Sequence, residues 1–408
     1  MSLFFNRRDQ RTWYFIYMVL ACLALYLAGP AIGLLDIRLI PFIQLYLTMF
    51  GATLLLPFLN RLKFLQLVPI IIFIAVILWV APNVRFTKSW INWNYSGLEG
   101  KNVYPLLQEI TGHLAKTKSG RVVYEHSPAH NIFGSERIFE NLPYLAGRET
   151  LEGLYMQSSI SSPFIFYIQS EVSKVCSGPF PQYQYTSLNI AQALKHLKMF
   201  NVTQYIARSE QAKNMARQVP QLELEKTFGD YEIYRFTDND GSYVVPLKFE
   251  PVLFQTDNWK KDFHEWFRNN EINDVFLIYS PNLSLGNDPN IKYETASLKD
   301  IPKVPIVFPP GGKVVSEEVK DDEISFNTDL LHYPHLIKVS YHPNWQVEGA
   351  GRIYLVSPSL MLVYPEQHQV RLYFGKTVYN YLGEALSLVG LSIVLISGII
   401  CLVHVRKT

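Results

Sequence analysis

The densest group of side chains suited to acid–base chemistry lies in one short segment. Glu125, His126 and His130 directly follow a strand-like run, residues 121–124. Ligand sites of α/β domains lie beyond the carboxyl ends of strands, and carboxylates and imidazoles are common general acids and bases. We therefore predict Glu125 and His126 as catalytic residues and His130 as a substrate-binding residue. A sugar or phosphate site, a metal site and a plain surface loop are the alternatives for this segment.

A metal site in this segment has the weakest support. His126 and His130 are four residues apart, as in a helical zinc pair, but Pro128 stands between them. Because proline breaks a helix interior, the two imidazoles are not expected on one helical face. We assign no metal ligand and no firm cofactor, and a divalent metal stays an open alternative.

A second polar group lies between Gly147 and Gly153. Arginine binds phosphate through paired hydrogen bonds, and carboxylates accept hydrogen bonds from sugar hydroxyls. Arg148, Glu149 and Glu152 are therefore predicted to bind substrate. An ion pair that stabilises a turn is the alternative.

Two isolated residues complete the predicted site. Asp36 is predicted as a catalytic base or metal-binding carboxylate where a sugar acceptor approaches a membrane surface. An interfacial ion pair between Asp36 and Arg38 is the alternative. Trp345 is predicted to stack on a sugar ring, and packing inside a β-sandwich core is its alternative.

Charged residues are distributed unevenly along the 408-residue chain. They make up 18% of it, whereas soluble domains usually contain about 25%, and residues 1–82 contain only eight. Four apolar runs, residues 13–35, 40–59, 64–81 and 382–403, are long enough to cross a hydrocarbon core of about 30 Å as helices. We predict four transmembrane helices, three N-terminal and one C-terminal, and exclude a wholly cytoplasmic enzyme.

The placement of lysine and arginine predicts the orientation in the membrane, because cytoplasmic loops hold an excess of them. Basic residues precede the first run, separate the second from the third, and follow the fourth: Arg7, Arg8, Arg11, Arg61, Lys63, Arg406 and Lys407. We predict a multi-pass plasma-membrane protein with both termini cytoplasmic and the central region outside. The lipid bilayer is then a partner. A net charge of only +2 excludes nucleic-acid binding, and 14% aromatic residues exclude a disordered chain.

The extracytoplasmic region combines two patterns. Helical and strand patterns alternate over residues 104–236, which is typical of α/β layers. The strand-like runs include residues 121–124, 202–207 and 231–236, and residues 189–200 have an amphipathic helical pattern. After the turn signal at residues 239–241, short strands recur about every ten residues around one helix-like insert, residues 259–267, which indicates a β-sandwich or jelly roll. The predicted segments are residues 1–82 with three transmembrane helices, 83–240 with the α/β domain, 241–378 with the β-sandwich or jelly-roll domain, and 379–408 with the C-terminal helix and cytoplasmic tail.

Two stretches resemble a known group of membrane proteins. They are residues 340–350 (SYHPNWQVEGA), followed by residues 354–358 (YLVSP) and a final apolar run, and residues 141–149 (NLPYLAGRE). Both are similar to the C-terminal part of bacterial and archaeal membrane proteins described as 6-pyruvoyl-tetrahydropterin-synthase-related or YfhO-like. That group resembles the GT-C superfamily of glycosyltransferases.

The resemblance implies work on cell-envelope glycoconjugates. GT-C enzymes use an acidic residue in the first extracytoplasmic loop and a polyprenyl-phosphate sugar donor, and they have more spans than this chain. The resemblance therefore implies a partial or accessory subunit of a GT-C-like glycosyltransferase system, with a multispan membrane subunit and a glycan or lipid-linked sugar as partners. If the chain is itself an enzyme, it is a lipid-carrier-dependent glycosyltransferase. The alternative is a non-enzymatic extracytoplasmic glycan-binding or scaffolding membrane protein.

Overall fold

The computed structural model describes residues 10–32, 36–61, 67–117, 120–153, 159–176 and 178–405. The chain divides into two compact units, Met1–Gly97 and Leu98–Thr408. Several basic residues behind the predicted orientation lie outside the described residues: Arg7, Arg8, Lys63, Arg406 and Lys407.

The first unit is helical. Its elements are α1 (Gln10–Ile32), a 3₁₀ helix (Asp36–Leu39), α2 (Ile40–Arg61), α3 (Val68–Asn83) and α4 (Arg85–Tyr95). Helices α1 and α2 pack together through Tyr14, Phe15 and Tyr46, whose rings meet at 6.4 to 6.5 Å. No residue of α3 is buried, and the α3 and α4 axes differ by 67°. Pro82 stands near the end of α3, where a missing backbone donor favours the end of a helix.

The second unit begins with a mixed sheet. Its first elements are α5 (Tyr104–Leu114), β1 (Arg121–Tyr124), 3₁₀ helices at Pro128–Phe133 and Ile138–Asn141, α6 (Leu142–Ala146), α7 (Ser162–Val172), α8 (Ile190–Met199), β2 (Val202–Ala207), α9 (Glu210–Arg217), β3 (Leu222–Phe228) and β4 (Tyr231–Phe236). The strand order is β1-β2-β4-β3, with β1 parallel to β2 and the other pairs antiparallel. The strands predicted at residues 121–124, 202–207 and 231–236 are confirmed, as is a helix within residues 189–200.

Side chains of β1 alternate between two cores. Val122 and Tyr124 pack against α5, whereas Val123 faces the opposite side with α7 and α8. Successive residues of a strand point to opposite faces, so this four-residue strand joins helical layers on both sides. The sheet is therefore the centre of an α/β layer arrangement, as the alternating pattern predicts.

Two further sheets form the rest of the second unit. Their elements are β5 (Val244–Pro246), β6 (Val252–Phe254), α10 (Trp259–Arg268), β7 (Leu277–Tyr279), β8 (Glu294–Thr295), β9 (Val314–Val319), β10 (Glu323–Thr328), β11 (His335–Ser340), β12 (Trp345–Glu348), β13 (Tyr354–Val356), β14 (Leu360–Val363) and β15 (Gln369–Phe374). One sheet has the order β12-β15-β10-β9, and the other has the order β5-β11-β14-β13-β7-β6-β8.

The two β-sheets share an apolar core. Ile324, Phe326 and Val370 from the smaller sheet cluster with Ile337 and Met361 from the larger one. This sandwich-like content agrees with the predicted β-rich region. The opposite face of the larger sheet contributes to the same core as α7 and α8, so apolar packing is continuous across residue 240. The division into four segments stays a prediction.

One helix is long and apolar enough to cross a membrane. It is α11 (Val378–Val405), whose stretch Val378–Gly398 has no buried residue. Helices α3 and α4 pass the same test only as a bent pair, and α1 and α2 contain shorter apolar stretches, Trp13–Gly29 and Ile40–Leu54. The described residues thus contain one such helix, or two if the bent pair is a single span. Four spans are not shown.

Candidate functional site

The candidate site begins where β1 ends. The chain leaves Tyr124 and enters the 3₁₀ helix Pro128–Phe133, which begins at Ser127, whose hydroxyl accepts a hydrogen bond from the Ala129 amide at 3.3 Å. Gly134, at φ 106°, ends this helix in the left-handed region that favours glycine. The turn brings the His126 and His130 rings next to the Tyr124 ring, with ring centroids 5.7 and 6.2 Å away.

His126 forms a close pair with a glutamate that lies 26 residues later. Its Nε2 is 2.6 Å from Oε1 of Glu152, whose side chain is 1% exposed, while the His126 side chain is 16% exposed. Arg137 approaches the same carboxylate, with Nη2 3.9 Å from Oε2 of Glu152, and donates through Nε to Glu140. We call Tyr124, His126, His130, Arg137, Glu140 and Glu152 the polar cluster.

Four buried polar atoms of the polar cluster have no hydrogen-bond partner among the described residues. They are the Tyr124 hydroxyl, Nε2 of His130, Nη2 of Arg137 and Oε2 of Glu152. Most buried polar groups in native proteins are hydrogen-bonded, and leaving one unsatisfied costs about 1–3 kcal/mol. Four such atoms around one tyrosine ring therefore mark a place where binding a polar ligand would recover hydrogen-bond energy.

Burial also controls protonation in the polar cluster. It lowers the pKa of His130 to about 4, so this imidazole is neutral at pH 7. Burial raises the pKa of Tyr124 well above its ordinary value, and the carboxylates of Glu152 and Glu140 add to that effect. Burial also raises the pKa of Glu140, which the hydrogen bond from Arg137 partly offsets. The cluster thus presents a neutral imidazole at His130 and a neutral phenol at Tyr124 beside the His126–Glu152 pair.

Glu125, predicted as catalytic, lies next to the polar cluster but is occupied by other contacts. Its Oε2 accepts hydrogen bonds from the amides of Arg208 and Ser209, both at 2.7 Å, and its Oε1 accepts one from the Ser209 hydroxyl at 2.6 Å. Ser209 begins α9, so the carboxylate satisfies free amides at a helix N-terminus. With a residue exposure of 1%, Glu125 connects β1 to α9.

The structure separates Arg148 and Glu149 from Glu152. The segment after Gly147 runs parallel to β1, pairing at Val122↔Thr150, so its beginning and its end lie at opposite ends of the strand. At the start of β1 the buried Arg148 donates to the carbonyls of Gly120 at 3.1 Å and Leu114 at 3.3 Å. Arg148 thereby links the end of α5 to β1.

Glu149 takes part in a different set of contacts. Its Oε2 accepts a hydrogen bond from the Tyr243 hydroxyl at 2.6 Å and lies 3.2 Å from Nε of Arg121. Glu149, Tyr243 and Glu317 line a cavity of about 240 Å³. Of the three substrate-binding residues predicted in this stretch, Glu152 alone joins His126.

The remaining predicted residues, Asp36 and Trp345, belong to other elements. Asp36 begins the 3₁₀ helix of the first unit. Trp345 lies on β12, where its ring meets that of Phe374 edge-on at 5.6 Å and packs on the sandwich core. This position agrees with the alternative stated for Trp345, packing within the sandwich.

Sequence reasoning did not assign Tyr124, Arg137 or Glu140 to the site. Tyr124 belongs to the strand, and nothing in its local sequence separates it from an ordinary core residue. Arg137 and Glu140 stand three residues apart with opposite charges, a spacing that predicts a local pair. That spacing does not reveal that Arg137 also reaches Glu152.

The polar cluster does not have a metal-binding arrangement. Among the described residues, no group of three or more histidine, cysteine, aspartate or glutamate side chains could hold a metal ion. The Ser173 hydroxyl accepts a hydrogen bond from the His126 backbone amide at 2.8 Å. This hydroxyl therefore contacts the main chain of His126 and not its imidazole. The arrangement is therefore suited to binding hydroxyl and amide groups.

Comparison with known proteins gives one match. Residues 108–254 match a family model described as Domain of unknown function (DUF8559). The matched stretch begins within α5, ends at β6 and contains the whole polar cluster. No curated protein and no solved structure matches the chain. Fold and site together define a sheet-rich domain that carries a buried polar cluster and continues into an apolar helix long enough to cross a membrane.

Proposed function

We propose that this chain is a membrane-anchored glycan-binding protein whose large unit holds its ligand at the polar cluster. The observation that carries the proposal is the set of four buried polar atoms around Tyr124 that make no hydrogen bond with any described residue. A sugar offers several hydroxyl groups, each both a donor and an acceptor of hydrogen bonds. Oε2 of Glu152 and Nε2 of His130 would accept from such hydroxyls, and Nη2 of Arg137 would donate to them.

Binding fits the geometry better than catalysis by this chain. Glu125 is engaged at the start of α9, so it is not free to take up a substrate proton. His126 and Glu152 form the remaining acid–base pair, and its imidazole Nε2 already faces the carboxylate. A ligand hydroxyl would meet Oε2 of Glu152 and Nη2 of Arg137, whose separation of 3.9 Å is too long for a direct hydrogen bond.

We also propose that the chain serves a GT-C-like glycosyltransferase system acting on cell-envelope glycoconjugates. The resemblance at residues 141–149 and 340–350 supports this setting. In it, a multispan subunit would use the polyprenyl-phosphate sugar donor and this chain would hold the growing glycan. Co-purification from native membranes should recover such a subunit. Recovery of the chain alone, under conditions that preserve membrane complexes, would remove this part of the proposal.

The proposed topology has four spans, with both termini cytoplasmic and the large unit outside. It is supported by the apolar composition of α1, α2 and α3, by the exposed side chains of α3, and by the sequence positions of lysine and arginine. Single cysteines at Thr227→Cys and Thr408→Cys, in a background with Cys22, Cys176 and Cys401 all replaced by Ser, test it with a membrane-impermeant maleimide. Intact cells should label the first position, and only opened cells should label the second. Equal labelling of both in intact cells would refute this topology.

Glycan binding is tested with the full chain in nanodiscs of zwitterionic lipid. The wild type is screened against a panel of cell-envelope glycans, and the best ligand is then titrated into Glu152→Gln. We expect this variant to bind at least about tenfold more weakly, because it loses a charged hydrogen-bond acceptor in a buried site.

Glu223→Gln is the matched control. Glu223 is an exposed glutamate whose Oε2 accepts a hydrogen bond from Arg235 at 2.7 Å, and its replacement should leave binding unchanged. Equal affinities for wild type and Glu152→Gln would move the ligand away from the polar cluster. Absence of binding to every glycan in the panel would refute the glycan assignment.

A further inference from the structure

A cavity whose lining residues do not belong to the polar cluster lies between α8, β5, β11 and the loop before β7. Its volume is about 370 Å³, within the range of small-molecule sites. Its apolar wall is formed by Val245, Leu247, Phe249, Phe276 and Leu336. Four lysines also line it, namely Lys195, Lys198, Lys248 and Lys338, with Asp274 as the acidic residue of the lining. We call this the lysine cavity.

Two of the four lysines already have partners. The Lys195 ammonium lies 2.9 Å from Oδ1 of Asp274 and donates to Oδ1 of Asn273 at 3.0 Å. The Lys198 ammonium donates to the Asp238 carbonyl at 2.6 Å and lies 3.5 Å from its carboxylate. These contacts hold both ammonium groups at the side of the cavity formed by α8.

Lys338 is different, because its residue is only 5% exposed and its ammonium group has no hydrogen bond or ion pair with any described residue. Both of its backbone groups are hydrogen-bonded: the amide donates to the Tyr243 carbonyl, and the carbonyl accepts from the Arg121 guanidinium. Lys338 and Leu336 stand two positions apart on β11, and both line the cavity. Leu336 also belongs to the apolar core that contains α7 and α8.

The charge of Lys338 thus lies beside apolar surface, with no carboxylate among the described residues close enough to form an ion pair with it. Burial lowers the pKa of this amine to about 8, an effect that the nearby carboxylates of Asp240 and Glu317 partly oppose and Lys198 reinforces. The amine is therefore still mainly protonated at pH 7. Desolvation of an ammonium group is costly, and a ligand that brings a negative charge into the cavity would offset that cost.

We propose that the lysine cavity binds a small anion with an apolar body, in which a carboxylate or phosphate group contacts the Lys338 ammonium. The apolar part packs between Phe249, Phe276 and Leu247, and Lys248, exposed at the same cavity, adds positive charge where the ligand enters. The described residues that line the cavity include no arginine, so the anion is recognised by charge rather than by paired hydrogen bonds. This site does not depend on glycan binding at the polar cluster.

The test uses the full chain in nanodiscs of zwitterionic lipid. Because this lipid has no net charge, the added probe is the anion available to the cavity. Benzoate and phenyl phosphate are titrated against the wild type by calorimetry, and benzyl alcohol serves as the uncharged counterpart. We expect at least one of the two anions to bind at least about tenfold more tightly than benzyl alcohol, because a hydrogen bond to a charged group contributes that much. If the wild type binds neither anion more tightly than benzyl alcohol, the proposal is overturned, whatever the variants show.

Lys338→Met then assigns the preference to this residue. The variant should lose it and bind the anion at least about tenfold more weakly, while its melting temperature without ligand equals or exceeds that of the wild type, since a costly buried charge is gone. Lys320→Met, at an exposed lysine that pairs with Glu318, is the matched control and should bind as the wild type does. Retained anion preference in Lys338→Met would assign the preference to another lysine and contradict the proposal.

Discussion

The large unit contains two histidine–glutamate pairs that look alike in distance and differ in their surroundings. In the first, Nε2 of His126 is 2.6 Å from Glu152; in the second, Nδ1 of His196 is 2.8 Å from Glu171. The other ring nitrogen of His196 is 2.8 Å from the Phe267 carbonyl. Both side chains of the second pair are 1% exposed, and the His196 ring stacks on Phe267 at 4.0 Å.

The two pairs therefore have different roles. His196 connects α7, α8 and the end of α10, with both ring nitrogens engaged, so its polar atoms are used for architecture. Around His126, Oε2 of Glu152 and three neighbouring polar atoms make no hydrogen bond with any described residue. In this molecule the completeness of hydrogen bonding separates a structural pair from a candidate binding pair more clearly than burial or distance does.

The largest expected effect comes from breaking the structural pair. His196→Ala should lower the free energy of unfolding by about 3–5 kcal/mol, because it leaves the Glu171 carboxylate buried without its partner and removes a stacked ring. His126→Ala should cost clearly less, about 1–2 kcal/mol, since its side chain lies partly at the surface and Arg137 remains beside Glu152. Urea unfolding of both variants gives the comparison. Equal losses would contradict the division of roles.

The second largest expected effect is a loss of stability in acid that arises at His130 of the polar cluster. The folded-state pKa of His130 is about 4, below the unfolded value of about 6.5, so the unfolded chain takes up the proton first. Stability is therefore present above pH 6.5 and is lost as pH falls towards 4, by about 3 kcal/mol at most for this residue.

The pH dependence can be assigned to His130 by substitution. Unfolding of the wild type and His130→Phe at pH 7 and pH 4.5 should show a smaller loss in the variant. A loss remains in both proteins, because burial also lowers the pKa values of His264 and His335 to about 4. An identical pH dependence in the two proteins would mean that His130 is not held neutral by its surroundings.

A smaller effect distinguishes two buried tyrosines. The Tyr205 hydroxyl donates to the Val172 carbonyl at 2.6 Å, whereas the Tyr124 hydroxyl, near Glu140, makes no hydrogen bond of good geometry with any described residue. Tyr205→Phe should lower the free energy of unfolding by about 1 kcal/mol, and Tyr124→Phe should leave it unchanged or raise it by about 1 kcal/mol, because an unsatisfied buried hydroxyl is removed. If Tyr124→Phe costs as much as Tyr205→Phe, the hydroxyl of Tyr124 has a partner after all.

Much of the layer architecture could be predicted from sequence, because it depends on local periodicity. The strands at residues 121–124 and 231–236 and the helix Trp259–Arg268 lie where alternation or amphipathic spacing indicates them. The number of membrane spans could not be predicted from the length of apolar runs in the same way. Helix α3 ends at Asn83 and the chain bends before α4, and a hydropathy pattern does not contain that geometry.

The site could be predicted only in part, because its contacts are not local. Glu125 and His126 are neighbours in sequence, yet Glu125 is directed to the start of α9 and His126 to Glu152. Arg148 and Glu152 are close in sequence, but the extended segment between them places them at opposite ends of β1. Such divisions depend on strand pairing over long sequence distances, which composition and spacing do not specify.

The most direct test of the central claim, that the His126–Glu152 pair belongs to a ligand site and the Glu171–His196 pair does not, is chemical footprinting of the two histidines. Diethyl pyrocarbonate is applied to the full chain in nanodiscs with and without a saturating amount of the best-binding glycan, and modification is read by mass spectrometry. The account predicts that His126 is modified, that glycan slows its modification, and that His196 stays unmodified in both samples. Modification of His126 at the same rate with and without bound glycan would contradict it.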